Sequence, residues 1–185
     1  MSRPRSFDLQ TAVDAAMQAF WSGGVNCTSV DDLLQATGLS RSSLYNSFGS
    51  REGLLEAAIE SYAQQQAATI RKLFAGKSLE EALIALFLEA ATTNLEGRGC
   101  LLVNAVGELH PPQVQGKAVV QEAFAKIAAT LESAIHQAAP QRQDAAQLCI
   151  AAMAVIAGLR TLQRAELPLA LRLQAAQKLA EGLTR

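Results

Sequence analysis

Residues 28–55 read TSVDDLLQATGLSRSSLYNSFGSREGLL, and they press two helix starts and a glycine stop into one short span. Thr28 and Ser29 are followed three positions later by Asp31 and Asp32. A hydroxyl there can cap the free amides while a carboxylate sits against the positive helix end, so a helix starts near Ser29. Val30, Leu33, Leu34 and Ala36 give it one apolar face, and Thr37-Gly38 ends it, Gly38 being free to take the left-handed conformation. Leu39 fills the corner. Ser40 caps a second helix, Arg41–Phe48, with Leu44 and Phe48 on one face and Arg41, Ser42, Ser43, Tyr45 and Asn46 pointing elsewhere. That outward set is short, polar and rich in donors, suited to base edges and phosphates in a major groove, where a purely structural helix would carry more Glu, Lys and Ala. The layout is that of a helix-turn-helix DNA reader.

The rest of the chain reads as helix throughout. Ala and Leu dominate, Gly, Pro and aromatics are few, and half of the 185 residues are hydrophobic, which favours an all-α protein with a sizeable core. A helix over Arg51 to about Ala75 leaves the reader and closes at Gly76. Ser78 with Glu81 forms a capping box for the next, which carries Leu79, Leu83, Leu86, Phe87 and Leu88. Gly97-Arg98-Gly99 precedes a short helix from Cys100 to about Leu109 that stops at His110-Pro111-Pro112. Val114–Ala139 is long and amphipathic. Asp144 is the expected cap of a strongly apolar segment, LCIAAMAVIAGLRTL, which reads as buried on all sides. A last helix runs from about Leu169 to Leu183. No run approaches eighteen apolar residues, and MSRPRSFDLQ is too polar for a signal peptide, so a cytoplasmic location is expected. Cys27, Cys100 and Cys149 are widely spaced, and His110 and His136 are the only histidines. Neither a disulfide framework nor a structural metal site is expected.

Residues Phe7 to Tyr62 resemble the N-terminal domain of the TetR family of bacterial transcriptional repressors. Ala15, Ala16, Phe20 and Gly24 supply the family's opening pattern. Thr28, Val30, Leu33, Gly38, Leu39, Ser40, Leu44, Tyr45, Phe48, Glu52 and Leu54 fall where it expects them. Two departures stand out: Tyr45-Asn46-Ser47-Phe48 replaces the usual aromatic-basic cluster, and Arg51 stands where lysine is usual, keeping the charge for a phosphate. The resemblance implies a DNA-binding domain over residues 1–53 and a helical effector-binding and dimerisation domain over 54–185. It implies DNA contacts from Arg3, Arg5, Thr28, Ser40, Arg41, Ser42, Ser43, Tyr45, Asn46 and Arg51. It implies an effector pocket in the middle helices, with Phe74, Phe87, Cys100, Asn104 and Phe124 as lining candidates. It also implies a homodimer through the last two helices, with Cys149, Met153, Ala154, Ile156, Ala157 and Gly158 at the interface. A two-fold pair would present its recognition helices ~34–36 Å apart to a palindromic operator. GRGCLLVNAVGEL is similar to a stretch in a branch of the family that responds to electrophiles. Arg98 and the helix start could activate the Cys100 thiol, or Cys100 is a small buried packing residue.

Net charge runs against a generic nucleic-acid binder. Sixteen Lys and Arg stand against seventeen Asp and Glu, a net of −1. The first 53 residues also sum to −1, from four arginines and five acids. Bulk attraction is therefore not the basis of binding, which must rest on a few placed contacts, doubled in a dimer. No nucleophile has a nearby His in a known motif, no Gly-rich phosphate loop follows a strand, and no metal-ligand pair recurs at helical spacing. The sequence is read as a non-enzymatic, cofactor-free repressor that a small-molecule effector releases from its operator. The alternative is a helical ligand-binding or interaction protein whose reader has lost DNA binding.

Overall fold

The computed structural model describes residues 8–92, 97–109 and 114–185, and every element among them is a helix. The order is α1 Leu9–Gly23, α2 Val30–Thr37, α3 Arg41–Phe48, α4 Arg51–Phe74, α5 Leu79–Thr92, α6 Leu101–Glu108, α7 Val114–Ala138, α8 Ala145–Arg164 and α9 Leu169–Thr184. The all-α expectation holds, with helix ends within a residue or two of those read from the sequence.

The short helices exist because their ends are satisfied. In α2, Ser29 Oγ accepts the Asp32 N–H at 3.2 Å while the Asp32 carboxylate accepts the Ser29 N–H at 2.8 Å, a closed capping box. Gly38 ends α2 at φ +69°, where a side chain would be strained. Ser40 caps α3 through the Ser43 N–H at 3.1 Å, and Ser78 with Glu81 does the same for α5. Asp144 departs from expectation. Its carboxylate is held by Arg142 at 2.6 and 2.7 Å and makes no cap bond to α8, because a two-pronged charged partner two residues away outcompetes a neutral amide.

α4 spans 24 residues, roughly 36 Å at helical rise, and joins two hydrophobic cores. Its first half sends Leu54, Leu55, Ala58, Ile59 and Tyr62 into a core shared with Met17 and Phe20 of α1, Leu33, Leu39, Leu44, and Leu101 and Leu102 of α6. Its far end sends Ile70 and Phe74 into a second core with α5, the C-terminal half of α7, α8 and α9. Gly53 lets the α3–α4 turn close, since a Cβ there would stand 2.0 Å from the Phe48 carbonyl oxygen.

Candidate DNA-reading surface and effector cavity

Leu44 is fully buried and fixes the roll of α3, so Arg41, Ser42, Tyr45 and Asn46 face solvent together. Ser43 is half-buried, its hydroxyl 2.8 Å from that of Ser40. Arg41 is exposed and pairs with Asp31 at 2.5 Å, a surface bridge that a phosphate can displace.

Two expected DNA contacts are corrected by the geometry. Thr28 is only 4% exposed, and its hydroxyl donates to the Gly24 carbonyl at 2.7 Å, so it closes the α1–α2 loop. Arg51 is 19% exposed. Its Nε donates to the Thr28 carbonyl at 2.8 Å, its Nη2 to the Val25 carbonyl, and its guanidinium lies 5.2 Å from the centre of the Phe20 ring. Both residues hold the loop that leads into α2. Arg3 and Arg5 lie outside the described residues.

Beneath the reader, α4, α5, α6, α7 and α8 enclose a narrow cavity of about 60 Å³. Phe124 and Cys100 line it, as expected. Phe87 does not: it is fully buried in the second core. Phe74 lines a separate open groove between the end of α4 and α7. Asn104 lines an adjoining opening, where its amide donates to the Arg98 carbonyl at 2.8 Å.

The polar end of the cavity holds residues that sequence reasoning missed. Arg160 of α8, 6% exposed, donates to the Tyr62 hydroxyl at 2.7 Å and to Gln66 Oε1 at 2.9 Å, and lies 3.4 Å from the Glu89 carboxylate. The Tyr62 hydroxyl donates in turn to Cys100 Sγ at 3.4 Å. Burial works to discharge Arg160, but Tyr62, Cys100 and Glu89 outweigh it and raise its pKa. Burial, aided by Cys100, pushes the Tyr62 phenol upward, so it stays a neutral donor. The signal was present: Arg160 is the one charge inside the apolar run LCIAAMAVIAGLRTL.

The expected partner of Cys100 is also corrected. Arg98 turns away, donating to Gln18 at 2.5 Å and lying 5.0 Å from the centre of the Trp21 ring. Cationic surroundings at Cys100 come from Arg160 instead.

α8 is long and apolar enough to cross a membrane, with a mean hydropathy of 1.7 over its best window, but it is not buried all round. Cys149 packs in the second core with its thiol on the Ala128 carbonyl at 3.4 Å, and burial raises its pKa. Met153, Ile156 and Ala157 line the cavity. Of the expected interface residues, Cys149 therefore serves the interior of the subunit; Met153, Ile156 and Ala157 are half-buried beside the cavity, and Ala154 and Gly158 face out. The apolar residues missed on that outer face are Ile150, 64% exposed, and Leu162, with Leu171 and Leu179 on α9.

Residues 12–58 match the family model described as bacterial regulatory proteins, tetR family. Among characterised relatives, the chain is 38% identical over 114 residues to the HTH-type transcriptional repressor ComR of Escherichia coli, covering 59% of this chain and 54% of ComR. It is 27% identical over 152 residues to the uncharacterised HTH-type regulator YezE of Bacillus subtilis, covering 80% and 76%. The chain thus spans little more than half of ComR. The structure superposes on a cysteine variant of the TetR family transcriptional regulator CifR, complexed with a 26-base-pair operator DNA. The TM-score is 0.84 at 25% identity, with 97% of this chain and 98% of CifR covered. The chain carries a TetR-type N-terminal domain over residues 12–58. The match runs from within α1 to the first turns of α4 and so includes the capped helices α2 and α3.

Proposed function

We propose that this TetR-family chain is a homodimeric, non-enzymatic transcriptional repressor that binds a near-palindromic operator and leaves it when a small molecule enters the helical domain. Residues 1–53 act as the reader and 54–185 as the effector and dimerisation part. The observation that carries the reading is α3: an eight-residue helix, capped at its start and anchored by Leu44, whose free face offers Arg41, Ser42, Tyr45 and Asn46. That face is open to solvent, its Arg41–Asp31 bridge and Ser40–Ser42 hydroxyl contact lying at the surface, and its donors suit base edges and phosphates. The names of ComR as a repressor and of CifR in complex with its operator support it. The cavity around Arg160, Tyr62, Cys100 and Phe124 is the effector site in this reading, and α4, which spans both cores, carries its state toward the reader.

A fluorescence anisotropy titration of the full chain against labelled DNA from its own upstream intergenic region tests the proposal. Binding should be sequence-specific and weaken steeply with salt, since phosphate contacts release counterions. Equal affinity for the intergenic DNA and for a scrambled duplex of the same length would overturn it.

A further inference from the structure

The loop from Gly24 to Ser29 decides where α2 and α3 lie against α1, and two different parts of the molecule grip it. Arg51 and Thr28 hold it from within the reader. Glu108, at the end of α6, holds it from the helical domain: its Oε2 accepts the Asn26 backbone N–H at 3.1 Å, and its main-chain carbonyl accepts the Asn26 side-chain amide. Gly24, at φ +89°, makes room for that carboxylate, since a Cβ there would stand 3.1 Å from Oε2.

Helix electrostatics do not explain this placement. The Glu108 carboxylate sits at the C-terminal end of α6 and beside the C-terminal end of α1, where both helices collect partial negative charge. The Asn26 donors are what compensate it. At its other end, α6 begins at Cys100 in the cavity wall, and Arg98, two residues earlier, is fastened to Gln18 and Trp21 of α1. Trp21 itself lies edge-on to Tyr62, ring centres 5.2 Å apart. One short helix is therefore tied to α1 before its start and to the α1–α2 loop at its end, with a cavity residue at its cap.

We propose that Glu108 is a positioning residue for DNA reading: standing at the end of α6, its hold on Asn26 straps the α1–α2 loop and so sets the pose of α2 and α3. The inference rests on the DNA-binding reading above. DNA is never touched by Glu108, so the effect is one of orientation.

The test uses the full chain with Glu108→Ala, Glu108→Gln and Asn26→Ala, read by anisotropy against the upstream DNA and by amide hydrogen exchange. Glu108→Ala and Asn26→Ala should each weaken specific binding roughly tenfold, the scale of a hydrogen bond to a charged group. Glu108→Gln should recover most of it, because its amide oxygen can accept the same N–H. Exchange of the Asn26 amide should quicken in Glu108→Ala, while amides of α9, which packs in the second core, stay as protected as in wild type. Binding by Glu108→Ala within twofold of wild type, or an unchanged Asn26 exchange rate, would overturn the proposal. If the wild type itself binds no DNA specifically, the repressor reading falls and takes the reading role of Glu108 with it; exchange at Asn26 still decides whether Glu108 holds the loop.

Discussion

The subunit turns two faces to solvent, and they are chemical opposites. The free face of α3 carries arginine, serine, tyrosine and asparagine on eight residues, whereas the outer face of α8 and α9 carries Ile150, Ala154, Gly158, Leu162, Leu171 and Leu179 along helices of 20 and 16 residues. A polar face costs little in water and gains only when a ligand supplies matching acceptors. An apolar stripe costs while it is exposed and gains when any complementary apolar face covers it. The first surface fits a polyanion, and the second, regular and self-similar at four-residue spacing, fits a copy of itself. In our reading each needs the other: one α3 offers too few contacts in a domain of net charge −1, and the stripe supplies the second α3.

The sharpest way to break that comparison is to spoil the apolar surface alone. Ile150→Asp places a charge on a side chain already 64% exposed, so the subunit should still fold, its melting temperature lowered only by the loss of the dimer. Its dimer would have to bury an unpaired carboxylate, a penalty of several kcal/mol. Light scattering should show monomers at micromolar concentration, and specific operator binding should fall at least ~100-fold, as half of the phosphate contacts are lost. Monomeric Ile150→Asp with wild-type operator affinity would separate the two surfaces and remove the dimer from the mechanism.

The comparison also explains what the sequence could reveal. Caps and stops act within a few residues, so Ser29 with Asp32, Gly38, Ser40 and Ser78 with Glu81 were legible, and with them the reader's helices. Side-chain destinations were not. Arg41, Arg51, Arg98 and Arg160 look alike in a string, yet one is exposed, one holds a loop, one lies over Trp21 and one is buried beside Tyr62. Each destination depends on carbonyls and rings that are distant in sequence. For α8 the composition showed an apolar helix but not which edge faces inward; that is set by the roll of α8 against α5, α7 and α9. Cys149 was expected at the interface and turned out to serve the interior for that reason, while Met153, Ile156 and Ala157 sit half-buried beside the cavity.

A second substitution pair sharpens the polar side. Tyr45→Ala removes an exposed ring from the free face of α3 and should leave the melting temperature unchanged while weakening operator binding by ~1–3 kcal/mol, roughly 5- to 150-fold. Arg51→Ala should do the reverse in kind. It leaves the Val25 and Thr28 carbonyls without their donor and Phe20 without its cation, so it should destabilise the chain by about 1–3 kcal/mol in urea titrations. Its weakened DNA binding should track that loss of folded reader. A stable Arg51→Ala variant with lowered operator affinity would return Arg51 to the phosphate-binding set.

The smallest effect separates capping from binding within the reader itself. Asp32 is fully exposed, and its hydrogen bonds from the Ser29 hydroxyl, then from the Ser29 amide, hold its pKa below the usual carboxylate value. A carboxyl depressed in the folded state adds stability at pH above its unfolded value, near 3.9, and loses it as the pH falls through the lower, folded value. Wild type should therefore shed a small part of its stability below about pH 4 that Asp32→Asn does not shed, because the amide keeps its shape but cannot ionise. The check is the difference between the two urea-denaturation curves from pH 7 down to pH 3. It should be largest at neutral pH and shrink on acidification, with operator affinity at neutral pH changed no more than the folded population requires. A stability difference that is flat with pH would show that the carboxylate charge does nothing for α2 and that the Ser29 hydroxyl caps the helix unaided.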